Sequence, residues 1–315
     1  MKAIQFEQFG APDVLKLADM PMPECGSQQV LVKVHAAGLN PIDYKTRNGS
    51  GFVAQLLKDH LPSGLGYDFA GEVAEVGSEV HEFEVGDKVM GFVGFDHPCA
   101  YAGYLCASPG ALIKMPETLS FINAAALPTA GLTALQALNQ ANVKQNDVVL
   151  IHAGSGGVGH LAIQLAKQKG ATVITTASAK NHDFLKALGA DQCIDYRNED
   201  VASAITQPVD AVIDLVGGQA GIESVGYLTQ EGCIVTVPTV TADAVIAAAK
   251  QQHRQAFGLL KQPNMAELAY LAKLASQEQL KVEISQVFSL NEAVRAHEIL
   301  ETGHVRGKLV FEVNG

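Results

Sequence analysis

The spacing of apolar positions changes once along this chain, near residue 120. Before it lie short alternating runs broken by Gly, Pro, Asp and Asn. Val30, Val32 and Val34 take one face of an extended segment, with Lys33 and His35 on the other. The stretch containing Val73 and Val76 is also extended, and residues 84–89 read as a turn feeding a strand. Such a series predicts a mostly antiparallel β domain of the kind that closes partly into a barrel.

After residue 120 strands and helices alternate. Residues 147–154 form a continuous apolar run, as a strand buried on both faces requires. Residues 160–170 follow as a helix, with Gly170 where a C-terminal cap belongs. Further strands are expected at 171–177, 193–196, 209–218 and 233–239, and helices at 182–191 and 219–232. This alternation predicts a doubly wound parallel sheet with helices on both faces. The tail changes the pattern again, with helices at 265–279 and 291–303 and extended segments at 281–290 and 308–313. The β-rich ends can thus share one domain, with the α/β part inserted between them.

At 315 residues and 48% hydrophobic, the chain can bury two full cores. A formal charge of −11 leaves no basic footprint for nucleic acid or an anionic membrane, so neither is expected as a partner. No apolar stretch reaches the length of a membrane span, and the N-terminus alternates like a strand rather than a signal peptide. Five scattered cysteines (Cys25, Cys99, Cys106, Cys193 and Cys233) form no CxxC pair and read as reduced thiols. Together these features point to the cytoplasm.

The chemistry starts at Gly154-Ser155-Gly156-Gly157-Val158-Gly159. G-x-G-x-x-G is a weak signal alone, but here it leaves a buried strand and opens a helix. Gly154 permits the tight turn, Gly156 lets backbone approach a pyrophosphate, and Gly159 lets helix and strand pack closely. The helix N-terminus then offers N–H groups and partial positive charge to the phosphates. NAD-preferring domains place an acid about 20 residues on, at the end of the next strand. Here that strand runs into Thr176-Ala177-Ser178-Ala179-Lys180-Asn181, with no carboxylate before Asp183. Ser178 can donate to a 2′-phosphate and Lys180 can supply charge, so NADPH is the expected cofactor.

Residues 40–45 (NPIDYK), 66–71 (GYDFAG), 125–138, the glycine loop and 304–313 occur in this order. Together they resemble the zinc-independent branch of the medium-chain dehydrogenase/reductase superfamily, nearest its quinone oxidoreductases and enone or alkenal reductases. The resemblance implies a GroES-like β-rich catalytic domain from residues 1–120 and 261–315, a Rossmann domain at 121–260, and an active site in the cleft between them. It also implies a homodimer, often formed through edge strands of the Rossmann sheet.

Metal-dependent relatives carry a cysteine ligand near the position of Asn40 and a His-Glu pair where Tyr67-Asp68 stands. Asn40 and Tyr67 are poor zinc ligands, the four-cysteine lobe is missing, and no metal is expected. Without a Lewis acid, simple alcohol oxidation is disfavoured, whereas reduction of a conjugated C=C or a quinone needs only donors at the developing oxyanion. The expected substrate is therefore a small enone, enal or quinone. Candidate catalytic residues are Asn40, Tyr44, Lys45 and Tyr67, and the aromatic loop Gly91–Tyr104 is a candidate pocket wall. The resemblance brings Thr129 or Thr133 to the nicotinamide side, with Val216, Gly217 and Val237 at strand ends facing it. It brings Tyr196, Arg306 and Lys308 toward the adenosine phosphate. The competing readings are a quinone reductase with little enone activity, and a cofactor-binding sensor or structural protein with vestigial catalysis.

Overall fold

The computed structural model describes residues 1–313. The chain forms two compact units, Met1–Thr129 with residues 263–313, and Ala130–Gln262. The change-over after Thr129 falls later than the expected 120/121. The helix Phe121–Ala125 explains the shift, because Phe121 stacks on His35 with ring centroids 4.4 Å apart. Gly38 also approaches Ala125 so closely that a Cβ there would lie 2.2 Å from its carbonyl oxygen.

The first unit begins with β1 (Lys2–Phe6), β2 (Lys16–Asp19), β3 (Val30–Gly38), β4 (Ser63–Gly64), β5 (Asp68–Val76), β6 (Lys88–Phe92), β7 (Tyr104–Ala107) and β8 (Leu112–Lys114). β3 is its spine, pairing antiparallel with both β5 and β7. Val30, Val32 and Val34 are fully buried, while Lys33 and His35 stay partly exposed, as period-two alternation requires. β2, β1 and β4 make a separate small sheet.

The β3–β7 register sets Cys106 opposite Leu31, beside the segment that enters β3. Cys25 lies in that segment, and Cys25 and Cys106 form a disulfide with Cα atoms 5.6 Å apart. This corrects the expectation of five reduced thiols. The two cysteines are 81 positions apart, and only the strand pairing brings them together.

The second unit is a six-stranded parallel sheet of β9 (Val148–Ile151), β10 (Thr172–Ala177), β11 (Gln192–Asp195), β12 (Val209–Asp214), β13 (Leu228–Thr236) and β14 (Gln255–Gly258). Its order is β11-β10-β9-β12-β13-β14, the 3-2-1-4-5-6 arrangement of a Rossmann sheet. Leu150, Val212 and Ile234 on the central strands are fully buried. Residues 219–232 were expected to be helical throughout. The helix ends at Ser224, and β13 starts at Leu228, which pairs with Val209. The structure also adds the helix Ala242–Gln251, which buries Ala242, Val245 and Ala249, and edge strand β14.

Two strands from the tail, β15 (Ile284–Ser289) and β16 (Lys308–Glu312), complete the first unit. β16 pairs antiparallel with β3, setting Val310 against Gly38. Phe6, Phe69 and Phe311 are fully enclosed in one core, each burial contributing roughly 1.5–3 kcal/mol. Among the described residues, no helix is long and apolar enough to cross a membrane.

Candidate functional site

In the second unit the glycine loop joins β9 to the helix Gly159–Gln168. A Cβ on Gly154 would lie 2.0 Å from Thr175 Oγ1, and one on Gly159 would lie 2.4 Å from the Ala153 carbonyl oxygen. The backbone therefore packs where no side chain fits. No side chain caps the helix at Val158; His160, Leu161 and Ala162 bond back to Gly156 and Val158, so the Gly159 N–H at the helix start is the one offered to an acceptor from outside. Ser155, Gly156, Gly157 and Val158 remain partly exposed around that terminus.

The neighbouring strand ends converge on the same edge. Ala177 and Asp195 are register partners of β10 and β11, so Ser178 and Tyr196 follow them side by side. Lys180 is exposed and makes no ion pair among the described residues. Tyr196 is 48% exposed, and the Arg197 guanidinium lies over its ring at 5.7 Å. Sequence reasoning missed Arg197, which the run of polar residues after β11 does not distinguish from an ordinary turn. It also missed the buried Asn181, whose amide donates to Ser155 Oγ at 3.1 Å and to Ser178 Oγ at 3.3 Å. At the end of β12, Asp214 accepts from the backbone of Val216 and Gly217 at 3.0 and 2.7 Å. Val237 donates to the Asp214 carbonyl at 2.9 Å. Gly217 has φ +75°, the left-handed region that favours glycine. Thr133 is buried in the helix Pro128–Gln140. These residues fit a dinucleotide, with a cradle for its pyrophosphate and cationic side chains at its adenosine end.

In the first unit a second cluster forms where β3 and β5 end. Asn40 follows β3 and opens the helix Pro41–Arg47, with Asp43 accepting its backbone N–H at 2.6 Å. The Asn40 side-chain amide donates to Asp68 at 2.9 Å. Asp68 also accepts from Thr129, through the backbone N–H at 3.0 Å and the hydroxyl at 2.6 Å. Lys308 Nζ donates to the Leu39 carbonyl at 2.6 Å and to Asn40 Oδ1. All but Thr129 are nearly or fully buried. Burial pulls the Lys308 ammonium below the ordinary lysine value, and the carboxylates of Asp68 and Asp43 oppose that shift.

This cluster changes several expected roles. Lys308 was expected at an adenosine phosphate, but its ammonium is enclosed and committed to internal oxygens. Arg306, expected there too, lies outside this cluster, half exposed and paired with Glu283 at 3.0 Å. Asn40 spends its amide on Asp68 and Lys308, so it is an anchor rather than a free donor. Thr129 spends its hydroxyl proton on Asp68. Tyr67 is fully buried, with its hydroxyl 3.1 Å from Thr46 Oγ1 and its ring stacked on Phe92. Burial holds that phenol well above the ordinary tyrosine range, and its ring packs with Phe92 and Phe95 in the wall. Tyr44 and Lys45 stay partly exposed on the helix Pro41–Arg47.

The donor set does not fit a catalytic zinc. Asn40 and Asp68, at the family's ligand positions, are tied into internal hydrogen bonds beside a buried ammonium, which opposes a second cation. Part of the aromatic loop, with His97, Cys99 and Tyr104, lines a cavity of about 650 Å³ against β1. Phe92 and Phe95 instead pack with Tyr67.

Comparison with known proteins agrees with this geometry. Residues 26–117 match the alcohol dehydrogenase GroES-like domain family, and residues 188–311 match the zinc-binding dehydrogenase family. A quinone-oxidoreductase homolog of spinach chloroplasts (Spinacia oleracea) is 36% identical over 99% of this chain and 98% of its own. The structure of a quinone oxidoreductase from Coxiella burnetii superposes with a TM-score of 0.98 at 70% identity, covering 100% of this chain and 99% of that one. The Escherichia coli quinone oxidoreductase complexed with NADPH superposes at 0.88 with 28% identity, covering 99% and 100%. The chain therefore belongs to the medium-chain dehydrogenase/reductase superfamily of nicotinamide-dependent oxidoreductases, in its branch of quinone oxidoreductases and enone reductases.

Proposed function

We propose that this protein uses NADPH to reduce an activated C=C of a small enone or enal, or a quinone, without zinc. The observation that carries the reading is the Asn40–Asp68–Lys308 cluster, which turns the family's metal position into a sealed hydrogen-bond network. NADPH supplies the hydride when bound. The uncapped helix at Gly159 and the Ser155 hydroxyl hold the pyrophosphate, and Ser178, Lys180 and Tyr196, joined by Arg197, receive the 2′-phosphate. The carboxylate-free end of β10 and the NADPH complex of the Escherichia coli relative support that choice. Thr133, Val216, Gly217 and Val237 belong to the nicotinamide side of this reading.

The acceptor's oxygen gains negative charge as hydride arrives, and donors fixed beside it lower the barrier. Lys45 and Tyr44 fill that role, and Asn40, locked from behind, keeps their helix in place. Partial burial raises the Tyr44 phenol, so it remains a donor at neutral pH and can pass a proton to the product. A homodimer is part of the proposal, because β14 is a sheet edge with Phe257 and Leu260 exposed beside it. The Cys25–Cys106 disulfide removes the cysteine argument for a cytoplasmic location.

The test follows nicotinamide absorbance with chelator-treated protein, NADPH or NADH, and an unsaturated ketone, an unsaturated aldehyde or a quinone. The expected result is NADPH oxidation that survives chelation and falls at least tenfold in Tyr44→Phe or Lys45→Met, the loss of about one donor in the transition state. Tight NADPH binding with no turnover on any acceptor would instead favour the sensor reading.

A further inference from the structure

Asn181 is a buried polar side chain at the cofactor edge of the second unit that the reading above leaves without a task. It lies at the end of the short turn after Ser178, with its backbone N–H donated to the Ser178 carbonyl at 2.9 Å. Its amide nitrogen reaches Ser155 Oγ, on the glycine loop, and Ser178 Oγ, at the end of β10. Both serines remain partly exposed. An amide NH₂ has two hydrogens and no lone pair to offer, so both hydrogens are spent on the serine oxygens. Each hydroxyl then has a lone pair filled from behind, and its own hydrogen is free to point away from Asn181. Two carboxylates lie near this turn: Asp183, in the first turn of the next helix, and Asp195, which accepts from Asn198 at 2.7 Å and from the Arg197 backbone at 3.2 Å.

We propose that Asn181 is a positioning residue that turns Ser155 and Ser178 into paired hydroxyl donors, one for the pyrophosphate and one for the 2′-phosphate of NADPH. Phosphate oxygens only accept, so a serine helps them only while its hydrogen faces outward. Asn181 couples the two phosphate sites and links the affinity of one to the integrity of the other. The inference rests on the NADPH reading and adds the residue that enforces it.

The decisive variant is Asn181→Asp, which keeps the shape and reverses the polarity. Its carboxylate accepts from both hydroxyls, draws their hydrogens inward and adds negative charge. Affinities for NADPH, NADH and adenosine 2′,5′-bisphosphate are measured by calorimetry, with thermal unfolding to confirm the fold. NADPH and the bisphosphate should weaken about 100-fold, the loss of two charge-assisted hydrogen bonds, while NADH, which calls on Ser155 alone, weakens about tenfold. Asn181→Ala, which removes the amide without adding charge and serves if Asn181→Asp fails to fold, should weaken NADPH about tenfold. Wild-type preference for NADPH with affinities unchanged in both variants overturns the proposal and leaves the cofactor reading standing. Equal wild-type affinity for NADH and NADPH overturns the cofactor reading and the Ser178 half of the proposal together.

Discussion

The Lys308 ammonium donates to the side-chain oxygen of Asn40, joining residues 268 positions apart in the chain. That contact decides which way the Asn40 amide faces. With Oδ1 taken by a cation, the amide nitrogen must turn to Asp68, where it sits at 2.9 Å. Lys308→Met keeps the bulk and removes the charge. It leaves Asn40 Oδ1 and the Leu39 carbonyl unpaired, a cost of about 1–3 kcal/mol for each buried group. Urea unfolding should show a loss in that range, and kcat/KM should fall at least tenfold. Unchanged stability and turnover would remove the cluster from the argument.

Asp43 and His297 titrate in opposite senses. Burial pushes the Asp43 carboxyl up to about 7, against the opposing pull of the Tyr101 hydroxyl. Burial, with the Arg47 charge adding to it, pushes His297 down to about 3. Asp43 contributes stability that is complete below its unfolded value of 3.8 and is lost as pH rises through about 7. The His297 contribution is complete above its unfolded value of 6.5 and is lost as pH falls through about 3. Between roughly pH 4 and 6.5 the two slopes, each about 1.4 kcal/mol per pH unit, cancel. Relative to wild type, His297→Phe should therefore lose stability as pH rises across that window. Asp43→Asn should gain stability, and the double variant should stay level. Parallel lines for all four proteins would refute the assignment.

Cys25 and Cys106 close a loop of about 80 residues, which in the chain-entropy account is worth about 4.5 kcal/mol. A non-reducing digest should yield the Cys25–Cys106 linked peptide. Burial raises the thiols of Cys99, Cys193 and Cys233, Cys99 to about 12, so all three should react slowly with alkylating reagents until the protein unfolds. Cys25→Ser should lower stability toward denaturant without altering NADPH affinity, because the pair belongs to the first unit. Free, rapidly alkylated Cys25 and Cys106 in the native protein would count against the bond.

Gly154→Ala tests the cradle. The added carbon meets Thr175 Oγ1 at 2.0 Å, and that hydroxyl is itself bonded to the Ile151 carbonyl at 2.7 Å. Neither partner can yield without opening the strand-to-helix turn. Dinucleotide affinity should fall beyond detection by calorimetry, and Gly110→Ala, which meets nothing within 4 Å, should bind as wild type.

The sequence shows the parts of this protein that follow from local spacing. Gly154, Gly156 and Gly159 are legible because strand, tight turn and helix start occupy consecutive residues. The alternation of Val30, Val32 and Val34 exposes one face of β3 for the same reason. Lys308 is not legible as a partner of Asn40, because its neighbours Leu309 and Val310 describe only a buried strand. Cys25 and Cys106 hide likewise, since pairing depends on the β3–β7 register. Asn181 looks like an ordinary helix-start residue until β9 and β10 bring Ser155 and Ser178 to either side of it. The start of β13 is obscured because Thr229-Gln230-Glu231 is as polar as a helix surface.

The pairing of β16 with β3 has a consequence for synthesis on the ribosome. A chain emerging in order completes all six strands of the second unit by Gly258, while β3 still lacks the neighbour that Val310 and Phe311 provide. The first unit must therefore wait, with a sheet edge unpaired and part of its core open, until β16 clears the exit tunnel. Domains that finish late in this way spend longer exposed to aggregation and to holding chaperones. A stalled or prematurely ended transcript would release a finished nucleotide-binding unit attached to an unfinished catalytic one.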